Sequence, residues 1–589
     1  MTHRRRLVLY IGLVLAVLLG SGATGMAAPA PRVANVATTP VPHCAASSRP
    51  DTGLDGQVPV SDRVSGRAAE GYSCNLALIG GAPSSASVNF DTYGNCAYFA
   101  DNPGESGLAD GTVVVADVSD PRHPQITDHL KAGAFANPGE SLRVNARRGL
   151  LVGDHYDTLQ LSPNQLNYIH DLAVYDVSRD CRHPELLADV MMPHAAGHEG
   201  CFQPDGNVYY MSSVISEGFT PIDLTDPRHP RELSAPWARP YPHGCSISDD
   251  GRTGYFSNTI NGGVDILDTS SAQALQPNAL YRAVGHIPTP DDLTQQSSIP
   301  VTYHGHRYLF LWAESANVEH PEQACTDPAF SSLWGYAQLV DVGNPGKPSV
   351  ASRIQTGVDN PANCLREAAD REPQKSGLSK GDPFWSVIGS ILLYDFHQCS
   401  VDRLHDPTIV ACANFASGLR VFDIRDPQHP RELAYYNMGT LSPVDPTIDD
   451  AGARPVIRRD LGQIWWVTVY GGLHVAQFTP GVWPFAGDRA CVDPTDYYAR
   501  QYDLNDPTCP TSALAAAGGA HANAASIVKA PPSSPSPAAQ TASAGSTPLP
   551  VTGATTPMFA ALAALALALA LRVATWRLGV GRRISRLPP

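Results

Sequence analysis

Positive charge is scarce in this chain. Lys and Arg total 41 against 56 Asp and Glu, and the formal net charge is −15. A protein that neutralises phosphate needs a basic footprint, so nucleic-acid binding is excluded as its main task. Several catalytic motifs are missing as well. There is no P-loop and no H-E-x-x-H; His198-Glu199 runs on into Gly200-Cys201. None of the twelve cysteines forms a C-x-x-C pair, so thioredoxin-like redox chemistry and ribbon-type zinc sites are unsupported. The carboxylate pairs Asp249-Asp250 and Asp291-Asp292 fall in turn or loop text, which gives glycosidase chemistry no footing. Long apolar runs occur only at the two ends.

The material that is present suits a β protein. Of 589 residues, 43% are apolar, enough to bury a core and to exclude wholesale disorder. With 50 Gly and 52 Pro, these two types make up about 17% of the chain, above the usual share of about 12%. That surplus predicts many turns between short strands.

Both ends read as addresses. Residues 1–30 carry a basic start, His3-Arg4-Arg5-Arg6, then an apolar run from Leu7 to Gly20 and the small residues Ala23 to Ala28. This is the layout of a signal peptide, with an uncleaved membrane anchor as the alternative. At the other end, residues 549–589, Leu549-Pro550-Val551-Thr552-Gly553 precede an apolar run from Met558 to Leu571 and then five arginines. That tail resembles the LPxTG cell-wall sorting signal of Gram-positive bacteria. The resemblance implies cleavage between Thr552 and Gly553 by sortase, and attachment of Thr552 to peptidoglycan. Arg572 departs from the pattern by cutting the apolar run short, so a plain C-terminal membrane anchor formed by a terminal hydrophobic helix stays open. Either outcome places the protein outside the cell, on the wall or the outer membrane face. Loss of the three leader arginines and five tail arginines takes the net charge from −15 to −23. Residues 511–548, rich in Ala, Ser and Pro, read as a flexible linker, and 31–71 as a loosely structured N-terminal segment.

Twelve cysteines, an even number, favour disulfides in an exported chain. Cys399 with Cys412 is the first candidate pair, because the turn signal His405-Asp406-Pro407 between them places them on neighbouring antiparallel strands. Cys491 with Cys509 is the second, closing a short loop.

A phrase recurs through the middle of the chain. It reads Val113-Val114-Val115-Ala116-Asp117-Val118-Ser119-Asp120-Pro121-Arg122-His123-Pro124 and returns around Asp176, Asp223, Asp268, Asp341 and Asp423, with His474 in the seventh place. The β-branched run is a strand, and Asp-Pro makes a tight turn with the carboxylate bonded to backbone amides. The second Pro opens an outer strand, where its missing N–H is cheap. Upstream, phrases such as Gln203-Pro204-Asp205-Gly206-Asn207 supply a hairpin. Four strands recurring at about 40–50 residues make a propeller blade, and the longer steps carry loop insertions at 312–335 and 358–385. The phrases resemble the LVIVD repeat family, whose repeats are expected to form β-propellers. The reading is therefore all-β: a seven-bladed β-propeller of four-stranded antiparallel blades over 72–510. Asn75 to Gly80 completes blade seven and so closes the ring with an N-terminal strand.

The histidines divide into two groups. His123, His183, His229 and His429 belong to exposed turns. His198, His243 and His397 precede or open the first strands of blades three, four and six, which line the central channel. Glu140 holds the matching place in blade two, His304 or His306 would serve in blade five, and His155 is a further candidate. His198, His243 and His397 are candidate ligands of a transition metal (Cu, Zn or Fe), with Glu199 or Glu140 as ligand or base. Two functions follow. The leading one is an exported, surface-tethered binding or scaffolding module for an extracellular protein or small molecule, with no resident cofactor. The rival is a metal-dependent hydrolase or oxidoreductase using the histidine cluster.

Overall fold

The computed structural model describes residues 39–485, apart from 85–87, 102–110, 139, 156–170, 196, 213–217, 235–236, 239–241, 259–262, 289–293, 315–324, 326–333 and 371–392. The leader, the 511–548 linker, the sorting signal with Thr552 and Gly553, and the proposed Cys491–Cys509 pair lie outside the described residues. Among the described residues no helix is long and apolar enough to cross a membrane.

Seven antiparallel sheets of four principal strands follow one another around a ring. Blade one runs Phe90–Tyr93, Cys96–Asp101, Thr112–Asp117 and Gln125–Leu130, each strand pairing with the next. The first strands of successive blades touch from blade one to blade seven, so they wall the channel. The recurring phrase is the third strand of each blade. Its last Asp behaves alike each time: Asp117 Oδ1 accepts from the Ser119 amide at 2.8 Å, Asp176 from Ser178 at 2.8 Å and Asp223 from Thr225 at 2.9 Å. The Asp-Pro turn is locked by a second carboxylate, as Asp226 Oδ1 accepts from the Arg228 amide at 3.1 Å. These Asx turns release the chain into the outer strand at a fixed angle, which makes the phrase repeatable. Between the sheets lie apolar layers. Phe310, Trp312 and Leu339 of blade five, for example, pack on Phe396, Val410 and Phe422 of blade six.

Blade seven closes as its sequence requires. Leu76–Ala82 pairs antiparallel with Gly472–Phe478, which pairs with Gln463–Thr468 and then Val456–Arg458. The closing strand rests on the turn of blade one, since a Cβ added to Gly80 would lie 2.1 Å from the Pro121 carbonyl oxygen. Gly285 meets Pro345 of the next blade in the same way, at 2.0 Å. The closure is thus built like an ordinary joint between blades. Gly80→Ala is expected to destabilise the protein by about 1–3 kcal/mol through overpacking. An unchanged thermal midpoint would show that the strand does not seat there.

Residues 39–71 differ from the sequence expectation of a loose segment. They are folded against the ring, with a short helix at Val60–Ser65 and a 3₁₀ turn at Arg67–Glu70. Tyr72–Cys74 adds a fifth strand to the outer edge of blade six, and Cys44 is disulfide-bonded to Cys74. The physical reason is Arg420 of blade six. It is fully buried and meets Asp51 at 2.8 Å, Asp55 at 2.9 Å and Glu432 at 3.2 Å, with its guanidinium 4.2 Å from the Tyr435 ring centre. The 358–385 insertion also differs from a loop, since Cys364–Asp370 is helical and Cys364 is bonded to Cys325. Residues 312–314 of the other insertion extend the second strand of blade five, His306–Glu314.

Beside this ion cluster sits Asp359, fully buried, whose Oδ2 accepts from the Thr356 amide and hydroxyl. Burial, reinforced by Asp55, pushes its carboxyl up to about 7. The folded state therefore holds a proton that the unfolded chain releases near pH 4. That contribution is full below about pH 4 and is lost as the pH rises through 7. Asp359→Asn removes the titration but keeps an acceptor. Its stability relative to wild type is expected to rise between pH 5 and pH 8 by an amount on the order of a few kcal/mol. Denaturation midpoints at the two pH values check this, and a pH-independent difference refutes it.

Candidate metal centre

The strands that wall the channel bring a charged cluster together at the end where the chain enters them. His198 directly precedes the first strand of blade three (Glu199–Phe202), and His243 lies within that of blade four (Pro242–Ile247). His397 directly precedes that of blade six (Gln398–Val401), and Glu140 stands just before that of blade two (Arg143–Asn145). A Cys201–Cys245 disulfide joins the two strands that carry His198 and His243. Cys399 bonds Cys412 across the first two strands of blade six, where the two residues are direct partners in register. Five disulfides join described cysteines, and no free cysteine is found among the described residues.

One donor atom each from Glu140, His198 and His243 lies within 4.8 Å of the other two; both histidines are buried, and the Glu140 side chain is 11% exposed. The Nε2 atoms of His198 and His243 face each other at 3.1 Å, and His198 Nε2 is 3.9 Å from Glu140 Oε1. Two imidazole lone pairs cannot point at one another, so the position between them must hold a proton or a metal ion. His243 Nδ1 meets Glu199 Oε2 at 3.2 Å, and Glu199 Oε1 accepts from Arg143 at 3.0 Å. A carboxylate behind Nδ1 fixes the ring so that Nε2 faces the centre, the arrangement of carboxylate–histidine–metal sites. Gly244 keeps this contact tight, because a Cβ there would lie 2.4 Å from Glu199 Oε2 and 2.3 Å from Ser297 Oγ.

His397 stands one step out from the expected ligand set. Its Nδ1 contacts the Gly452 carbonyl, and its Nε2 lies 2.8 Å from Glu140 Oε1 and 3.3 Å from Glu314 Oε1. Both ring nitrogens face acceptors, so both carry protons and the ring is a cation that steadies Glu140. Burial opposes that charge, but Glu140, Glu314 and the Gly452 carbonyl outweigh it and raise the ring to about 9. Burial pushes Glu140 up, yet His397, then His198 and His243, hold it well below the usual carboxylate range. Burial and the neighbouring His243 lower His198 to about 4, keeping it neutral.

The two faces of the blade-five hairpin have different fates. His304 and His306 are exposed at its tip, paired with Asp406 at 3.5 Å and Asp341 at 2.8 Å, and neither reaches the cluster. Blade five instead contributes Glu314, from the end of its second strand, and Gln296, from its first strand (Thr294–Tyr303). Gln296 and Gln398 donate to Glu140 Oε2 at 2.6 and 2.8 Å. These three residues were not singled out by spacing. Only the polar run Gln295-Gln296-Ser297-Ser298, inside a strand that should be apolar, could have flagged one of them. His155 is buried beyond the second strand of blade two (Leu150–Asp154), beside the backbone of Gly197.

No protein-family model matches the sequence, and no curated protein matches it. Among solved structures, the chain is similar to the Myceliophteria thermophila Cps50 (Swd1) β-propeller domain, at 11% identity and TM-score 0.41, over 69% of this chain and all of that one. It is similar to Kuenenia stuttgartiensis hydrazine synthase at 11% identity and TM-score 0.41, over 67% of this chain and 96% of that one. It is also similar to the Pseudomonas aeruginosa periplasmic gluconolactonase PpgL at 15% identity and TM-score 0.37, over 58% and 82%. At such identities and scores these likenesses carry no argument about what the chain does.

Proposed function

We propose that this chain is an exported, surface-tethered β-propeller that binds a divalent transition-metal ion in its channel, on His198, His243 and Glu140. The observation that carries the reading is the convergence of those three donors within 4.8 Å, with His243 aimed by Glu199. Two imidazoles and one carboxylate form the donor set of catalytic zinc sites and of non-haem Fe(II) centres, which leave coordination positions open for a ligand. That open character favours metal-dependent chemistry as a second reading over a purely scaffolding role. Thiolate coordination has no part in it, because Cys201, Cys245 and Cys399 are all in disulfides. The terminal segments and the repeat phrases support export, wall attachment and a kinship with LVIVD proteins. The disulfides among the described residues fit an oxidising compartment. Metal analysis of the secreted protein tests the central claim. One equivalent of zinc, iron or copper is expected, and a protein that neither carries nor takes up any of them overturns it.

A further inference from the structure

The acceptors around the proposed ion outnumber the donors, and this bears on what can join it there. Glu140, Glu199 and Glu314 bring three carboxylates to the cluster. The positive groups beside them are already committed. Arg143 donates to Glu199 Oε1 and to the Leu142 carbonyl, both at 3.0 Å, and His397 spans Gly452 and Glu140. Each glutamine gives one amide N–H to Glu140 Oε2, and Gln296 Oε1 and Gln398 Oε1 stand as acceptors. Both residues are buried, and neither oxygen has a hydrogen-bond partner among the described residues; nor does the fully buried Ser297 Oγ. Buried acceptors left unpaired cost free energy, so groups like these ordinarily meet a donor from a ligand or from water.

Resting on the metal reading above, we infer that the open side of this centre selects a small neutral or cationic ligand rich in O–H or N–H groups, such as an alcohol or an amine, and rejects anions. A donor-bearing ligand on the ion satisfies Gln296 Oε1 and Gln398 Oε1. A phosphate, carboxylate or azide brings further acceptors against three carboxylates and, among the described residues, meets Arg143 and His397 already engaged with Glu199, Leu142, Gly452 and Glu140. Water bound to the ion is the smallest ligand of the favoured kind.

The test uses the full exported chain loaded with Co(II), whose visible d–d bands report both the ion and its extra ligands. Uptake of Co(II), lost in His243→Ala, is read first. Ethanolamine and azide are then titrated against the loaded protein. Ethanolamine is expected to perturb the bands at a concentration at least tenfold lower than azide. Gln398→Met, which removes one acceptor while Gln296 still holds Glu140, is expected to weaken ethanolamine at least tenfold with Co(II) uptake retained. Gln398→Lys, which adds a cationic donor, is expected to strengthen azide at least tenfold. Azide binding as tightly as ethanolamine in the wild type overturns the inference alone, whatever the variants do, and so does a folded Gln398→Met with unaltered ethanolamine binding. A wild-type protein that takes up no Co(II) overturns the metal centre itself, and the ligand preference falls with it.

Discussion

Arg420→Met is expected to lower the stability of the folded chain by about 3–5 kcal/mol, the cost of breaking a buried ion cluster by removing one partner. The cost is high because one guanidinium serves three acids. It meets Asp51, Asp55 and Glu432 within 3.2 Å, donates from Nε to the Ser417 carbonyl and stacks on Tyr435. Burial already pushes Glu432 well above its ordinary value, and burial raises Asp51 too. Without the cation, Asp51 must take up a proton or leave the core and Asp55 loses its ion pair, so the 39–71 segment loses its anchor on blade six. Chemical denaturation should show the loss, and limited proteolysis should show earlier cutting within 39–71. Arg420→Lys should recover only part of the stability, since an ammonium cannot present a planar fork to three carboxylates. A triple change of Asp51→Asn, Asp55→Asn and Glu432→Gln on the Arg420→Met background should recover more. If Arg420→Met melts with the wild type, the cluster is not what holds the N-terminal segment.

How far the sequence could be read follows from which interactions are local. The third strand and its Asp-Pro turn were legible because strand, Asx turn and outer strand lie within about a dozen residues, and Asp117 needs only the Ser119 amide to work. The closing strand was legible by elimination, since blade seven ended at Phe478 one strand short and Asn75 to Gly80 had no other use. The segment before it was misread because its partners are distant in the chain. Nothing near Asp51 hints at Arg420, which is 369 residues away. The site was legible in the same graded way. Blade periodicity could place His198, His243 and His397 at the entries of inner strands. It could not rank them, because what turns His397 toward Glu140 is the Gly452 carbonyl, contributed by the connection between blades six and seven. Glu314 and Gln296 belong to a blade that has no histidine at its inner-strand entry. Their contribution depends on how deep the second strand runs and on a polar stretch that looks like a flaw in a core strand.

That ranking gives the second large effect its form. His243→Ala is expected to lower metal affinity at least a hundredfold, because it removes a ligand and also leaves Glu199 without the ring it orients. His198→Ala and Glu140→Gln should fall in the same class, since each supplies one of the three converging donors. His397→Gln should behave differently. Its ring sits behind Glu140 rather than on the ion, so roughly one equivalent of metal should remain, with affinity lowered about 10–100-fold as for an outer partner. The charge argument points the same way: removing a cation from beside Glu140 and Glu314 leaves those carboxylates more negative toward the ion, which limits the loss. Competition with a chelator of known affinity, followed by metal content after dialysis, separates the two classes. Equal losses for His397→Gln and His243→Ala would make His397 a ligand and require the ion to sit between Glu140 and Glu314 instead. Metal content unchanged in all four variants, with only their melting points lowered, would mean that these side chains knit the inner strands together and hold no metal.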